Sequence, residues 1–198
     1  MTDIRTLLFV AAGVLAGGAA FAQTALLVPA ERISDEEIDR DQRSYQRLQS
    51  RIRSLNERGR PVADYHLAKA QCWLEASWHE YSRNDRSAFP QAALDESEKL
   101  VAAMEVHAVP LPSETPLVAE ATRLRPDLWQ RVHELKQGPG FACAAPKAAC
   151  AEVELVHAGH ENAQQGWRHA RPYLRIAEEQ LAEASTLAER CAPQRRPR

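Results

Sequence analysis

The chain has 198 residues, 44% of them hydrophobic and 26% charged, a balance that fits a folded domain and excludes a low-complexity or highly charged disordered chain. Its 25 basic and 27 acidic residues leave a formal charge of −2, so there is no basic footprint for nucleic acid. Aromatic residues make up only 6%, which limits the candidates for a stacking groove.

Residues 1–22 read as an export signal, with Arg5 near the start, an apolar stretch from Leu7 to Ala20, and Ala20-Phe21-Ala22 as a small-x-small cleavage site. The alternative is an uncleaved anchor, but the stretch is shorter than the ~20 apolar residues of a spanning helix and carries Gly13, Gly17 and Gly18. The expectation is an exported, periplasmic protein with no stable membrane span after cleavage. A flexible lead-in over 23–33 then precedes one helical domain over 34–191.

Ser34-Asp-Glu-Glu37 has the spacing of a capping box, so a helix starts there. Tyr45, Leu48, Ile52 and Leu55 form its apolar stripe, Arg43, Arg47 and Arg51 line a solvated face, and Gly59 and Pro61 end it. A second helix is expected from about Pro61 to Arg83, with Leu67, Ala70, Leu74, Trp78 and Tyr81 facing the core. After a turn at Asn84-Asp85-Arg86-Ser87, a third helix from about Pro90 to His107 folds back as a hairpin.

Pro110, Pro112, Pro116 and Pro126 interrupt any regular element, so 109–126 is an ordered connection. A short helix from Pro126 to Lys136 follows and stops at Gly138-Pro139-Gly140. The remaining chain is expected to be helical from about Lys147 to His160 and from Asn162 to Cys191, kinked or broken at Pro172. Leu174, Ala177, Leu181, Ala184, Ala188 and Cys191 make a three-four seam. The tail 192–198 is basic and expected to be disordered. A weak repeat at an offset of about 81 residues, pairing Ala70 with Ala151 and Leu74 with Leu155, suggests two similar helical hairpins. The fold class is therefore all-α, stacked helical hairpins in a bundle or tetratricopeptide-like array, stabilised by disulfides.

An even number of cysteines in an exported chain favours disulfides over metal or redox chemistry. Of the three possible pairings of Cys72, Cys143, Cys150 and Cys191, we expect Cys143 with Cys150 and Cys72 with Cys191. In one helix Cys143 and Cys150 would stand about 10.5 Å apart, too far for a bridge, so this pairing requires a bend ahead of a helix start at Pro146.

Recognisable catalytic motifs are lacking. His79-Glu80 opens the helical zinc pattern, but Arg83 stands where the second histidine belongs. His157, His160 and Glu161, with Glu154 one turn earlier, share a helix face and amount at most to opportunistic metal binding, so no cofactor is expected. Cys72 with His66 and His79 is better read as a disulfide cysteine than as a nucleophile. Tyr65, Trp73, Trp78, Tyr81 and Trp167 could line a groove or simply fill the core.

At Tyr65-His-Leu-Ala-Lys-Ala-Gln-Cys-Trp-Leu74, Glu80-Tyr81 and Asn84-Asp85-Arg86, the sequence resembles a helical module that precedes the OmpA-like domain in some proteobacterial OmpA-family envelope proteins. Ala151-Glu-Val-Glu-Leu-Val-His-Ala-Gly159 and Trp167-Arg-His-Ala170 extend the resemblance over most of 40–190. It implies residence in a Gram-negative envelope and a helical interaction module working beside an OmpA-like partner. In that family a C-terminal domain grips peptidoglycan through an Asp and an Arg. No position of this chain, which ends at Arg198, matches that pair, so peptidoglycan contact stays open.

The leading expectation is a non-enzymatic envelope protein whose interaction surface includes Trp73, Tyr81, Asn84, Asp85, Arg86, His157, His160 and Glu161. One alternative is a glycan-processing factor using Glu75, Glu80 or Glu154, which requires a buried carboxylate with a raised pKa. Another is a small-ligand binder with an apolar pocket of roughly 300 Å³ or more.

Overall fold

The computed structural model describes residues 25–192, and the expected signal at 1–22 and the tail beyond 192 lie outside them. Six α-helices order the described residues: α1 (Asp35–Glu57), α2 (Tyr65–Ser82), α3 (Phe89–Glu105), α4 (Pro126–Gln137), α5 (Phe141–Gln165) and α6 (Trp167–Cys191). No helix among them is long and apolar enough to cross a membrane.

The helix starts follow their caps. The Glu37 N–H donates to Ser34 Oγ at 3.3 Å and the Ser34 N–H donates back to Glu37 Oε2 at 3.1 Å, the reciprocal arrangement that starts α1. Asp64 accepts from the N–H groups of His66 and Leu67 at 2.9 Å each, so α2 begins at Tyr65 rather than at Pro61. Pro126 opens α4, where a missing N–H costs nothing.

Two expected boundaries in the C-terminal part move. α5 starts at Phe141, six residues before the expected Lys147, and runs through Pro146. The break before α6 falls at Gly166 rather than between His160 and Asn162, and Pro172 lies inside α6. Each proline is the sixth residue of its helix and removes one hydrogen bond near the helix start. Gly166 instead adopts φ 81°, a backbone state other residues rarely reach, and reverses the chain.

The continuous α5 overturns the expected disulfides. Cys143 and Cys150 stand seven residues apart on one helix and cannot meet. Cys150 bonds Cys72 of α2 with a Cα separation of 5.3 Å, and Cys143 bonds Cys191 at the end of α6 at 6.3 Å. One bridge thus ties the two halves of the chain, and the other clasps the open end of the α5/α6 hairpin.

Helices α2 and α3 form one antiparallel hairpin and α5 and α6 another. Cys72 with Cys150, then Glu80 with His157, then Asp85 with His160 place α2 and α5 side by side and parallel. One core lies among α1, α2 and α3 and takes in Val153 and Val156 of α5, around Leu48, Trp73, Leu94 and Met104. A second joins Leu128 and Val132 of α4, Leu155 and Ala158 of α5, and Leu174, Ala177 and Leu181 of α6. Much of the three-four seam is therefore buried, although Cys191 itself is exposed.

The described part of the lead-in is docked rather than loose. Leu26 and Leu27 are buried, and their N–H groups donate to Gln91 Oε1 at 2.6 Å and Asp41 Oδ1 at 2.9 Å. The proline-rich connection is also held, with Leu111 and Val118 packed on the first core. At Gly159 the backbone of Thr122 comes so close that an added Cβ would lie 2.1 Å from the Thr122 carbonyl oxygen, and the Thr122 N–H donates to the Gly159 carbonyl at 3.2 Å.

Candidate functional site

Stacking the two hairpins brings the polar residues of α2, α5 and α6 into one buried knot. Glu80, His157, His160 and Glu161 are each at most 2% exposed. Placing several ionisable groups in such a position is costly unless each finds a partner. His157 Nε2 and Glu80 Oε1 are 2.7 Å apart, and His157 Nδ1 faces Glu154 Oε2 at 3.6 Å. His160 Nε2 pairs with Asp85 Oδ2 at 3.0 Å while its ring stacks on Phe89. Arg83 reaches over the knot from α2, with Nη1 3.7 Å from Glu80, 3.5 Å from Glu161, and donating to the Tyr173 hydroxyl at 2.7 Å. His79 Nε2 lies 2.9 Å from the same hydroxyl.

These contacts separate the charge states. Burial opposes ionisation of Glu80, but the hydrogen bond and charge of His157, with Arg83, outweigh it and lower the carboxyl's pKa. Burial likewise opposes a charged His157, yet Glu154 and Glu80 raise it. Glu161 moves the other way: burial first and then the neighbouring Glu80 charge raise its pKa. Burial, followed by the charge on His157, lowers His79. Burial would raise Asp85, but His160, the hydroxyl and N–H of Ser87, and Gln164 together hold its carboxyl well below the usual range.

Of the expected interaction residues, only Asn84 and Arg86 are exposed, and Arg86 Nη2 donates to the Pro29 carbonyl at 3.1 Å. Trp73 is fully buried in the first core. Tyr81 is buried and donates to Asp41 Oδ2 at 3.1 Å. Asp85, His157, His160 and Glu161 belong to the knot, so this set is mostly internal and does not form a continuous outer surface. The physical reason is mutual pairing across α2 and α5, which a single helix face cannot reveal.

The expected aromatic groove is dispersed as well. Tyr65 packs on Phe141, Trp78 and Tyr81 gather around Tyr45, and Trp167 is 53% exposed at the start of α6. A cavity of about 390 Å³ beside Tyr45, Leu74 and Trp78 has the size of a small-ligand site, with Gln42, Gln46, Gln49 and Gln71 also in its lining. Of the nominated carboxylates, Glu75 is exposed, Glu154 is half-buried, and Glu80 is buried with a lowered pKa. The buried carboxyl whose pKa rises is Glu161.

Two features escape the sequence reading. One is a second buried cluster, in which Lys69 and Lys136 share Glu152 and the Tyr65 hydroxyl. A lysine on the inward face of α2, four residues after Tyr65, is the signal that could have found it. The other is an open cavity of about 900 Å³ at the start of α6, lined by Arg125, Trp167, Arg168, Arg171, Leu174 and Arg175 among others. Arg125 is held by Asp127 and Glu178, and Arg175 by Glu179. Arg168 and Arg171 are exposed and have no ion-pair partner among the described residues.

Comparison with protein-family models, with curated proteins and with solved structures finds no match to this chain.

Proposed function

We propose that the protein is a non-enzymatic, exported helical module of the Gram-negative envelope that binds an acidic surface of another envelope protein, with an OmpA-like protein as the leading partner. The observation that carries this reading is the cationic cavity at the start of α6, where exposed Trp167 stands beside Arg168 and Arg171, which have no ion-pair partner among the described residues. The positive end of the α6 dipole adds to that field, and an exposed Trp among arginines is the composition of an interface anchor. The resemblance over 40–190 supports envelope residence, and two disulfides suit an oxidising compartment.

The double variant Arg168→Glu, Arg171→Glu should lower retention of the protein by the envelope fraction by about tenfold or more at low salt while leaving the helical circular dichroism unchanged, because both side chains are exposed. Unchanged retention would remove this face from the proposal.

One observation favours a second, catalytic reading: Glu161 has the raised pKa of a general acid. Its 1% exposure, behind Arg83 and His169, separates it from any glycan, so the binding reading has more support.

A further inference from the structure

Glu80 and Glu161 both face the single guanidinium of Arg83, and Glu161 Oε1 is buried yet receives no hydrogen bond. Around the same point stand two imidazoles. One ligand atom each from His79, Glu80 and His157 lie within 4.8 Å of one another. The separations from Glu80 Oε1 are 2.7 Å to His157 Nε2 and 3.7 Å to His79 Nε2. Ligands at ~2.0–2.1 Å around a tetrahedral zinc ion stand about 3.3 Å apart, between those two values.

The surrounding contacts prepare both imidazoles. Arg83 donates to the Tyr173 hydroxyl, which leaves the phenolic proton to donate to His79 Nε2; that lone pair passes to a metal when the phenol turns away with Arg83. Glu154 Oε2 stands 3.6 Å from His157 Nδ1, on the ring edge away from Glu80, the side from which a carboxylate supports a metal-bound histidine. A route also exists, because the His79 and Arg83 side chains are 48% and 43% exposed.

We propose that His79, Glu80 and His157 form a three-ligand site for a divalent transition-metal ion of the zinc class, with the fourth position open, and that Arg83 is the cation that occupies the knot when no metal is bound. Two imidazole nitrogens and one carboxylate oxygen suit zinc, nickel or copper better than calcium or magnesium. When Arg83 swings to solvent, two carboxylates remain to neutralise a divalent ion. The site is independent of the partner face proposed above, since none of its ligands lines that cavity.

Cobalt(II), which reports a tetrahedral nitrogen and oxygen site by visible absorption and is displaced by zinc, is the probe. Untagged, oxidised protein stripped of metal should develop a saturable band with one equivalent of cobalt. His79→Ala should abolish the band, and Arg83→Gln should tighten binding by about tenfold or more by removing the competing charge. Both side chains are nearly half exposed, so circular dichroism should confirm that each variant is folded. A band unaffected by His79→Ala, or saturable binding by Arg83→Gln and none by the native chain, would overturn the proposal. In the latter outcome Arg83 is a permanent counter-ion.

Discussion

Replacing Glu152 with alanine is expected to destabilise the protein by about 3–5 kcal/mol, because it leaves buried charge without its partner. Lys69 has no exposed side-chain surface, and its Nζ donates to the Tyr65 hydroxyl at 2.9 Å and to the carbonyls of Ser113 and Glu114 at 3.0 and 2.9 Å. Glu152 Oε2 stands 3.2 Å from that ammonium, and Lys136 Nζ donates to Oε1 at 3.0 Å. Tyr65 also donates to Glu152, so one carboxylate organises two cations and a phenol. Burial pulls the Lys69 pKa down to about 8 even with Glu152 opposing it. Without that carboxylate, two ammonium groups face each other over the same hydroxyl, and the Lys69 pKa falls further.

The cluster also pins the proline-rich connection through Ser113 and Glu114. Urea denaturation of Glu152→Ala should therefore show the full loss, and limited proteolysis should open residues 109–125 first. The double replacement Lys69→Met, Glu152→Met should recover much of the stability, since removing both charges costs far less than stranding one. A loss below about 1 kcal/mol for Glu152→Ala would mean that the pair is hydrated rather than buried.

The second large effect is expected from the bridge between α2 and α5. Cys72 and Cys150 are 78 residues apart in sequence, and closing a loop of that length restricts the unfolded chain by about 4.5 kcal/mol. Cys143 and Cys191, 48 apart, give about 4 kcal/mol on the same basis. The pair Cys72→Ala, Cys150→Ala should thus lower stability somewhat more than Cys143→Ala, Cys191→Ala. It should also release the α2/α5 junction on which the buried knot depends, whereas the other pair frees only the end of a hairpin. Nonreducing peptide mapping should return Cys72 joined to Cys150. A peptide joining Cys143 to Cys150 would contradict the continuous α5.

The helical class and the N-terminal elements were legible because their signals are local. Ser34 and Glu37 cap each other within one turn, and Leu48, Ile52 and Leu55 repeat on one face. What misled was also local: Pro146 and Pro172 read as interruptions, yet each lies early in its helix, while the single Gly166 carries the reversal. That one error about Pro146 created a loop and with it the wrong disulfides.

The knot was legible in its parts and not in its assembly. His79-Glu80 and His157-Ala-Gly-His160-Glu161 are each visible as a short polar motif on its own helix. Their meeting depends on the parallel placement of α2 and α5, a non-local fact carried by Cys72–Cys150 and the first core. Arg83, which counted against the zinc motif, turns out to stand 3.5 Å from His79 Nε2, where a cation belongs. The arginine-lined cavity at α6 escaped notice because Arg125 joins it from 43 residues before Arg168 in the chain.

Photo-crosslinking in envelope-containing cells tests whether the start of α6 is the partner face of an envelope module. A photoreactive residue replaces Trp167 in one variant and Trp78, also exposed but outside that cavity, in another. The account predicts a defined protein adduct from position 167, reduced by high salt and absent from position 78. Adducts of equal yield from both positions, or capture of sacculus fragments alone from position 167, would contradict it.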